Sequence, residues 1–206
     1  MKKLSCLLVA LFAFGTITAQ ETTPGEGFKR GDTFISGSVG FNHIKNRNVE
    51  SNSFNVSPKA AYFINDNISL GASLAYYSVN EDVNTYEYGI YEQKRNSFSG
   101  GIFARYYVTP ANKFSVFAQL GAAYSTNRYE TQESGSKATI DGFDVQLAPA
   151  ISYFVSNHFA LEATLGLLSY STYKPGNTSV AGEESDNNFS IGLNFSNINI
   201  GVVYKF

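Results

Sequence analysis

From residue 33 to the end of the chain, apolar side chains recur at every second position in eight separate stretches. A period of two puts such residues on one face of a β-strand. Residues 33–43 place Ile35, Gly37, Val39 and Phe41 on one face and Phe34, Ser36, Ser38 and Asn42 on the other. Residues 54–64 show Phe54, Val56, Tyr62 and Ile64; 68–78 show Ile68, Leu70, Leu74 and Tyr76; 96–108 show Phe98, Ile102, Tyr106 and Val108. Three more follow: 114–126 with Phe114, Val116, Leu120 and Tyr124; 142–155 with Phe143, Val145, Leu147, Ile151 and Tyr153; 159–172 with Phe159, Leu161 and Leu165. The seventh stretch changes phase near Leu168 and Tyr170. The eighth runs through Phe189, Ile191, Leu193 and Phe195 on odd positions, then Ile198, Ile200, Val202, Tyr204 and Phe206 on even ones. That switch of parity at Ser196-Asn197 implies a bulge, with a tight turn as the alternative. Past residue 20, no window of helical length repeats apolar residues at three and four.

The opposite faces decide what surrounds these strands. They carry Asn55, Ser57 and Lys59; Ser69 and Ser73; Ser99 and Arg105; Ser115 and Gln119; Gln146 and Ser152; Glu162 and Thr164. A soluble barrel would turn its oily side inward and cover the other side with Lys and Glu. Here charge is scarce on the strands and concentrated between them. An inverted arrangement, with the apolar face toward lipid and the small polar face toward a lumen, fits both facts. The connections agree, because short ones (65–67, 109–113, 156–158) alternate with longer polar ones (45–53, 79–95, 127–141, 173–187). The pattern predicts an all-β fold, an eight-stranded antiparallel up-and-down transmembrane barrel with short periplasmic turns and longer extracellular loops. Aromatic residues gather at the strand ends: Tyr62, Tyr106, Phe114, Tyr153, Phe159, Tyr204 and Phe206 on the short-turn side, Tyr76, Tyr124 and Tyr170 on the other. These form the two interfacial belts expected of a membrane barrel, with Tyr in place of the absent Trp.

The first residues change the reading of compartment. Lys2 and Lys3, the apolar run Leu4–Phe14 and the small residues to Ala19 form a secretory signal peptide, expected over 1–19 and too short to span a bilayer. Its removal takes Lys2, Lys3 and the single Cys6, leaving 13 basic against 17 acidic residues. A thiol-free, mildly acidic chain has no disulfide framework and no basic cluster to neutralise phosphates, which sets nucleic acid aside as a partner. The expected organisation is a leader, a short N-terminal periplasmic segment over 20–30, and one barrel domain over 31–206, located in the outer membrane.

An internal echo marks the hairpins. Pro58-Lys59-Ala60-Ala61-Tyr62-Phe63-Ile64 with Leu70, Ala72 and Leu74 matches Pro149-Ala150-Ile151-Ser152-Tyr153-Phe154-Val155 with Leu161, Ala163 and Leu165 at a constant offset. Proline withdraws a ladder donor, so each copy is expected to mark a local bulge. With the leader and the closing Gly-Val-Val-Tyr-Lys-Phe, these hairpins resemble the small outer-membrane β-barrel proteins abundant in Bacteroidetes-type bacteria. The resemblance implies an eight-stranded barrel and a terminal aromatic-x-Phe, here Tyr204 and Phe206, of the kind the outer-membrane assembly machinery recognises. It carries over no biochemical activity.

Eight strands enclose little more than side chains, which argues against a wide pore. Lys59, Arg105, Gln119 and Glu162 face inward at comparable depths. They are expected to form a polar plug in which Glu162 pairs with Lys59 or Arg105, since an unpaired charge there would be costly. A catalytic reading is thin. His43 and His158 are too isolated for a metal site, no nucleophile elbow appears, and no cofactor is implied. A Ser-His lipid hydrolase at His43 is the residual enzymatic option. Loop 79–95, with Tyr86, Tyr88, Ile90 and Tyr91, and loop 173–187 offer surfaces for a partner, while in the first of them the alternation Thr85-Tyr86-Glu87-Tyr88 favours a plain hairpin extension of the third and fourth strands. Two functions compete: an integral outer-membrane barrel with a structural, surface-interaction or envelope-accessory role, and a secreted lipocalin-like barrel holding a small apolar ligand among Phe34, Phe63, Phe103 and Phe117.

Overall fold

The computed structural model describes residues 27–46, 49–85, 89–131, 135–164, 168–175, 186–191 and 199–206. They form ten strand segments: β1 (Thr33–Lys45), β2 (Val49–Phe63), β3 (Ile68–Thr85), β4 (Gly89–Tyr107), β5 (Phe114–Thr131), β6 (Ser136–Phe154), β7 (Phe159–Thr164), β8 (Leu168–Pro175), β9 (Asp186–Ile191) and β10 (Asn199–Lys205). Every pairing is antiparallel, from β5 back through β1, across β10 and β7 to β6, and β6 closes on β5. β7 and β8 lie end to end along β6, and β9 and β10 pair with β8 and β7 respectively. The ten segments therefore make eight staves of a closed antiparallel barrel. The leader, Cys6 and most of the expected periplasmic segment lie outside the described residues.

The staves are longer than the hydrophobic alternation implied. β3 and β4 stay in register to Thr85↔Gly89, and β5 and β6 to Thr131↔Ser136, so most of the expected loops 79–95 and 127–141 are ladder. Tyr86 and Tyr88 lie outside the described residues. Eighteen residues at about 3.3 Å each, tilted by about 40°, stand about 45 Å tall, well beyond an apolar band of about 25 Å. Above the lipid both faces are wet, so alternation fades while backbone pairing continues.

Register explains the change of phase. Between Ala150 and Leu147, β6 advances three residues, whereas their partners Thr164 and Leu168 are four apart. One extra residue in the seventh stave turns its outward parity from Phe159 and Leu161 to Tyr170. In the eighth stave Phe189 faces out on an odd position and Ile200 and Val202 on even ones. The expected switch point at Ser196-Asn197 lies outside the described residues. The proline expectation is corrected at Pro58, where neither strand gains a residue, and holds at Pro149, where the one-residue excess lies in the facing stave. Pro58 faces Gly37 of β1, and the β2–β3 ladder lapses at 57 and 58 yet resumes in unchanged register from Val56↔Tyr76 to Lys59↔Ser73. Pro149 pairs with Ala118 in an unbroken β5–β6 ladder, and the extra residue belongs to the facing stave. A strand with no N–H to offer at one point tolerates a gap in its neighbour's ladder instead of adding a residue.

The orientation of the faces separates the two functional readings. Phe41, Ile102 and Ile200 are 73%, 70% and 68% exposed, and the other large apolar residues of these rows that the structure describes as exposed, such as Ile35, Leu70, Leu120 and Leu161, share their outward direction. A water-soluble protein does not leave such a continuous apolar surface uncovered. The lipocalin-like reading also fails inside: Phe34, Phe63, Phe103 and Phe117 are buried, but they pack as a core. That core is itself a correction, since the short-turn half of the lumen is largely aromatic and not simply polar. Gly71 admits it. A Cβ there would come within 2.5 Å of the Phe103 ring and 2.7 Å of Ala61 Cβ.

Candidate functional site

The lumen floor is built on Arg105. It lies on the inward face of β4, two residues before Tyr107 and directly opposite Gln119 of β5. Its Nε donates to Gln119 Oε1 at 2.9 Å. Across the barrel, Nη1 donates to Glu162 Oε1 of β7 at 2.8 Å and approaches the Tyr107 hydroxyl at 3.0 Å. The guanidinium carbon also sits 5.1 Å from the ring centres of Phe34 and Phe103 and 4.7 Å from that of Phe117. Arg105 is 2% exposed and Glu162 6%. Burying two charges is repaid only when geometry is good and the remaining donors are satisfied, and here hydrogen bonds and ring faces supply both. Small side chains make the space: Ser69 lies directly across from Arg105, and Ser152 directly across from Glu162, both fully buried.

Lys59 stands apart. It shares a small pocket of about 40 Å³ with Glu162, Ser36 and Ser57, and its Nζ lies 6.0 Å from the Phe103 ring centre, without an ion pair among the described residues. The structure thus brings Arg105, Gln119 and Glu162 into contact and leaves Lys59 beside them. Between Lys59 and Arg105, reach decides: both are inward on their strands, but only the Arg105 fork bonds to Gln119 and Glu162 together.

Below this layer the chain before β1 turns into the barrel mouth. Gly27, with φ +107°, is followed by Phe28, whose ring meets Phe34, Phe63, Tyr107 and Phe154 at 4.8 to 5.4 Å. Phe28 N–H donates to the Pro110 carbonyl and Gly31 N–H to that of Phe63. Lys205 Nζ donates to the Gly27 carbonyl and lies 3.9 Å from Asp32, which ties this segment to the last strand. The sequence reading missed Phe28. The only signal was one bulky apolar residue in a polar, glycine-containing lead-in to β1.

The terminal aromatics lie on the outer wall. Tyr204 packs edge-on against Phe159 and Phe206, with ring centres 5.0 Å apart in each case, within the exposed ring of Tyr62, Tyr106, Phe114 and Tyr153. Neither histidine joins a reactive group. His43 Nδ1 is 2.8 Å from Asn52 Oδ1 on the exposed end of the β1–β2 hairpin, and His158 Nδ1 is 2.9 Å from the Lys205 carbonyl. Among the described residues no cluster of His, Cys, Asp and Glu could hold a metal ion.

A closed antiparallel barrel with an oily outer band, two aromatic belts and a packed interior defines an integral β-barrel membrane protein. The chain belongs to the outer membrane protein beta-barrel domain family, whose model matches residues 6–206, and it is accordingly an outer-membrane protein. Among solved structures it is similar to the outer membrane protein OprG of Pseudomonas aeruginosa, at 16% identity and a TM-score of 0.56, over 88% of this chain and 98% of that one. Outer Membrane Protein W of E. coli is similar at 14% identity and a TM-score of 0.47, over 86% and 99% of the two chains. Ail, the attachment invasion locus protein of Yersinia pestis, gives 15% identity and a TM-score of 0.43, over 86% and 99%. At these identities the OprG likeness speaks for the fold alone. No curated protein matches the chain.

Proposed function

We propose that this protein is a non-conducting, non-catalytic barrel of the Bacteroidetes type that works at its extracellular surface, in a structural, surface-interaction or envelope-accessory role. One observation carries the reading: Arg105, held by Glu162 and Gln119 and ringed by Phe34, Phe103 and Phe117, fills the lumen over an aromatic layer that Phe28 closes from below. A solute crossing this layer would have to separate a buried ion pair, which costs several kcal/mol. What projects instead is the outer end of the long staves, β2 to β6, with exposed tyrosines such as Tyr77 and Tyr129. Outer-membrane lipid covers the apolar band. We read Tyr204 and Phe206 as the terminus that engages the barrel assembly machinery, and the 79–95 and 173–187 segments as the surface open to a partner. The test is electrical. Purified folded protein in planar bilayers is expected to show no steady conductance, and proteoliposomes no uptake of small sugars. A stable ohmic channel from the unaltered protein would overturn the proposal.

A further inference from the structure

Above the Arg105 layer the lumen widens into a cup of about 410 Å³, walled by Ser51 of β2, Tyr77 and Glu81 of β3, Gln93 and Arg95 of β4 and Tyr129 of β5. The ladder puts these groups in two adjacent rows, Val79 with Arg95 and Tyr129, and Glu81 with Gln93 and Thr131. The Arg95 guanidinium carbon lies 5.8 Å from the Tyr77 ring centre and 5.4 Å from that of Tyr129, and Nη2 donates to Asn127 Oδ1 at 3.2 Å. The other charged groups on the wall are engaged: Lys94 pairs with Glu92 at 3.0 Å and Glu130 with Lys137 at 2.8 Å. Arg95 and Glu81 have no ion-pair partner among the described residues.

This is the layout of a recognition site for one kind of small molecule. A guanidinium set against two rings, with one nitrogen already bonded, keeps most of its five N–H donors and presents the planar fork that matches a carboxylate. The tyrosines offer flat amphipathic faces, while Ser51, Gln93 and Glu81 offer a hydroxyl, an amide and a carboxylate acceptor for hydroxyl groups. The volume falls at the small end of the roughly 300 to 1,000 Å³ usual for ligand sites. A phosphate dianion would bring twice the charge of a carboxylate toward Glu81, one row from Arg95 on the ladder, and a neutral sugar would leave Arg95 without a counter-charge. We propose that the cup binds an acidic sugar, its carboxylate on Arg95, its hydroxyls on Glu81, Gln93 and Ser51, and its ring against Tyr77 or Tyr129.

The inference rests on the closed floor proposed above, because a cup without an exit below binds and releases on the same side. The probe is glucuronate, titrated into the folded full-length barrel in detergent micelles and followed by saturation-transfer NMR, with glucose and glucose 6-phosphate as comparators. Glucuronate is expected to bind at least about tenfold tighter than either, and Arg95→Gln to remove that preference, a loss of about 1.4 kcal/mol for each tenfold. Arg95→Lys, which keeps the charge and loses the fork, falls between. Tyr129→Ala weakens glucose and glucuronate alike. The proposal is overturned if the unaltered protein ignores glucuronate at tens of millimolar, if glucose or glucose 6-phosphate binds as well, or if Arg95→Gln, folded by heat-modifiable migration, binds glucuronate like the parent. A negative titration with a non-conducting barrel removes the cup alone; conductance would remove the floor.

Discussion

Replacing Glu162 with Leu tests the lumen most directly. The carboxylate is 6% exposed and accepts from Arg105 at 2.8 Å, so the variant leaves a guanidinium buried without its counter-charge. Breaking a buried pair from one side costs about 3 to 5 kcal/mol. Arg105 keeps its bond to Gln119, its contact with the Tyr107 hydroxyl and three ring faces, so the lower end, about 3 kcal/mol, is expected here. At a urea slope of about 1 to 3 kcal/mol per molar, that lowers the midpoint by about 1 M or more. The readout is reversible urea unfolding in lipid, followed by Tyr fluorescence, since the chain has no Trp. Glu50, paired with Lys45 at the exposed hairpin end, supplies the control, and Glu50→Leu is expected to leave the midpoint where it was. The double variant Arg105→Met/Glu162→Leu removes both charges and is expected to recover most of the loss, because apolar replacements of a buried pair are close to neutral. Equal midpoints for Glu162→Leu and Glu50→Leu, or a double variant that loses the plain sum of its singles, would refute the reasoning.

Two further outcomes follow from the short-turn end of the barrel. Phe28→Ala empties the centre of the aromatic floor, and a loss of about 3 kcal/mol or more is expected in the same unfolding assay; an unchanged midpoint would mean that the lead-in segment merely rests on the mouth. Deleting Phe206, which is exposed on the outer wall, is expected to cut the yield of folded barrel in the cell while leaving the urea midpoint of the refolded protein nearly unchanged; normal yield would dismiss the terminus as an assembly signal.

The sequence by itself determined which side of each strand meets lipid. That follows because a strand has two faces, and the two media here, hydrocarbon and lumen, demand opposite chemistry at alternate residues. Ile35, Leu70, Ile102, Leu120 and Leu161 all obey it, as does the change of parity between Leu161 and Tyr170. The set of inward polar residues was legible for the same reason.

Alternation says nothing about height or about what stands across the tube. Whether Glu162 meets Arg105 or Lys59 depends on the stagger of staves that are not neighbours, and only closure of the sheet fixes that. The aromatic floor stayed hidden because Phe34, Phe63, Phe103, Phe117 and Phe154 carry the same side chains as residues facing lipid, and their inward parity alone did not show that they converge. Phe28 was less visible still, since it belongs to no strand. The upper ladder of β5 and β6 escaped because both of its faces are wet, so its backbone pairs without leaving a trace in hydrophobicity, whereas that of β3 and β4 showed in the sequence only through the alternation at Thr85-Tyr86-Glu87-Tyr88. Tertiary structure decided these features because each depends on groups far apart in the chain arriving at one level of the barrel.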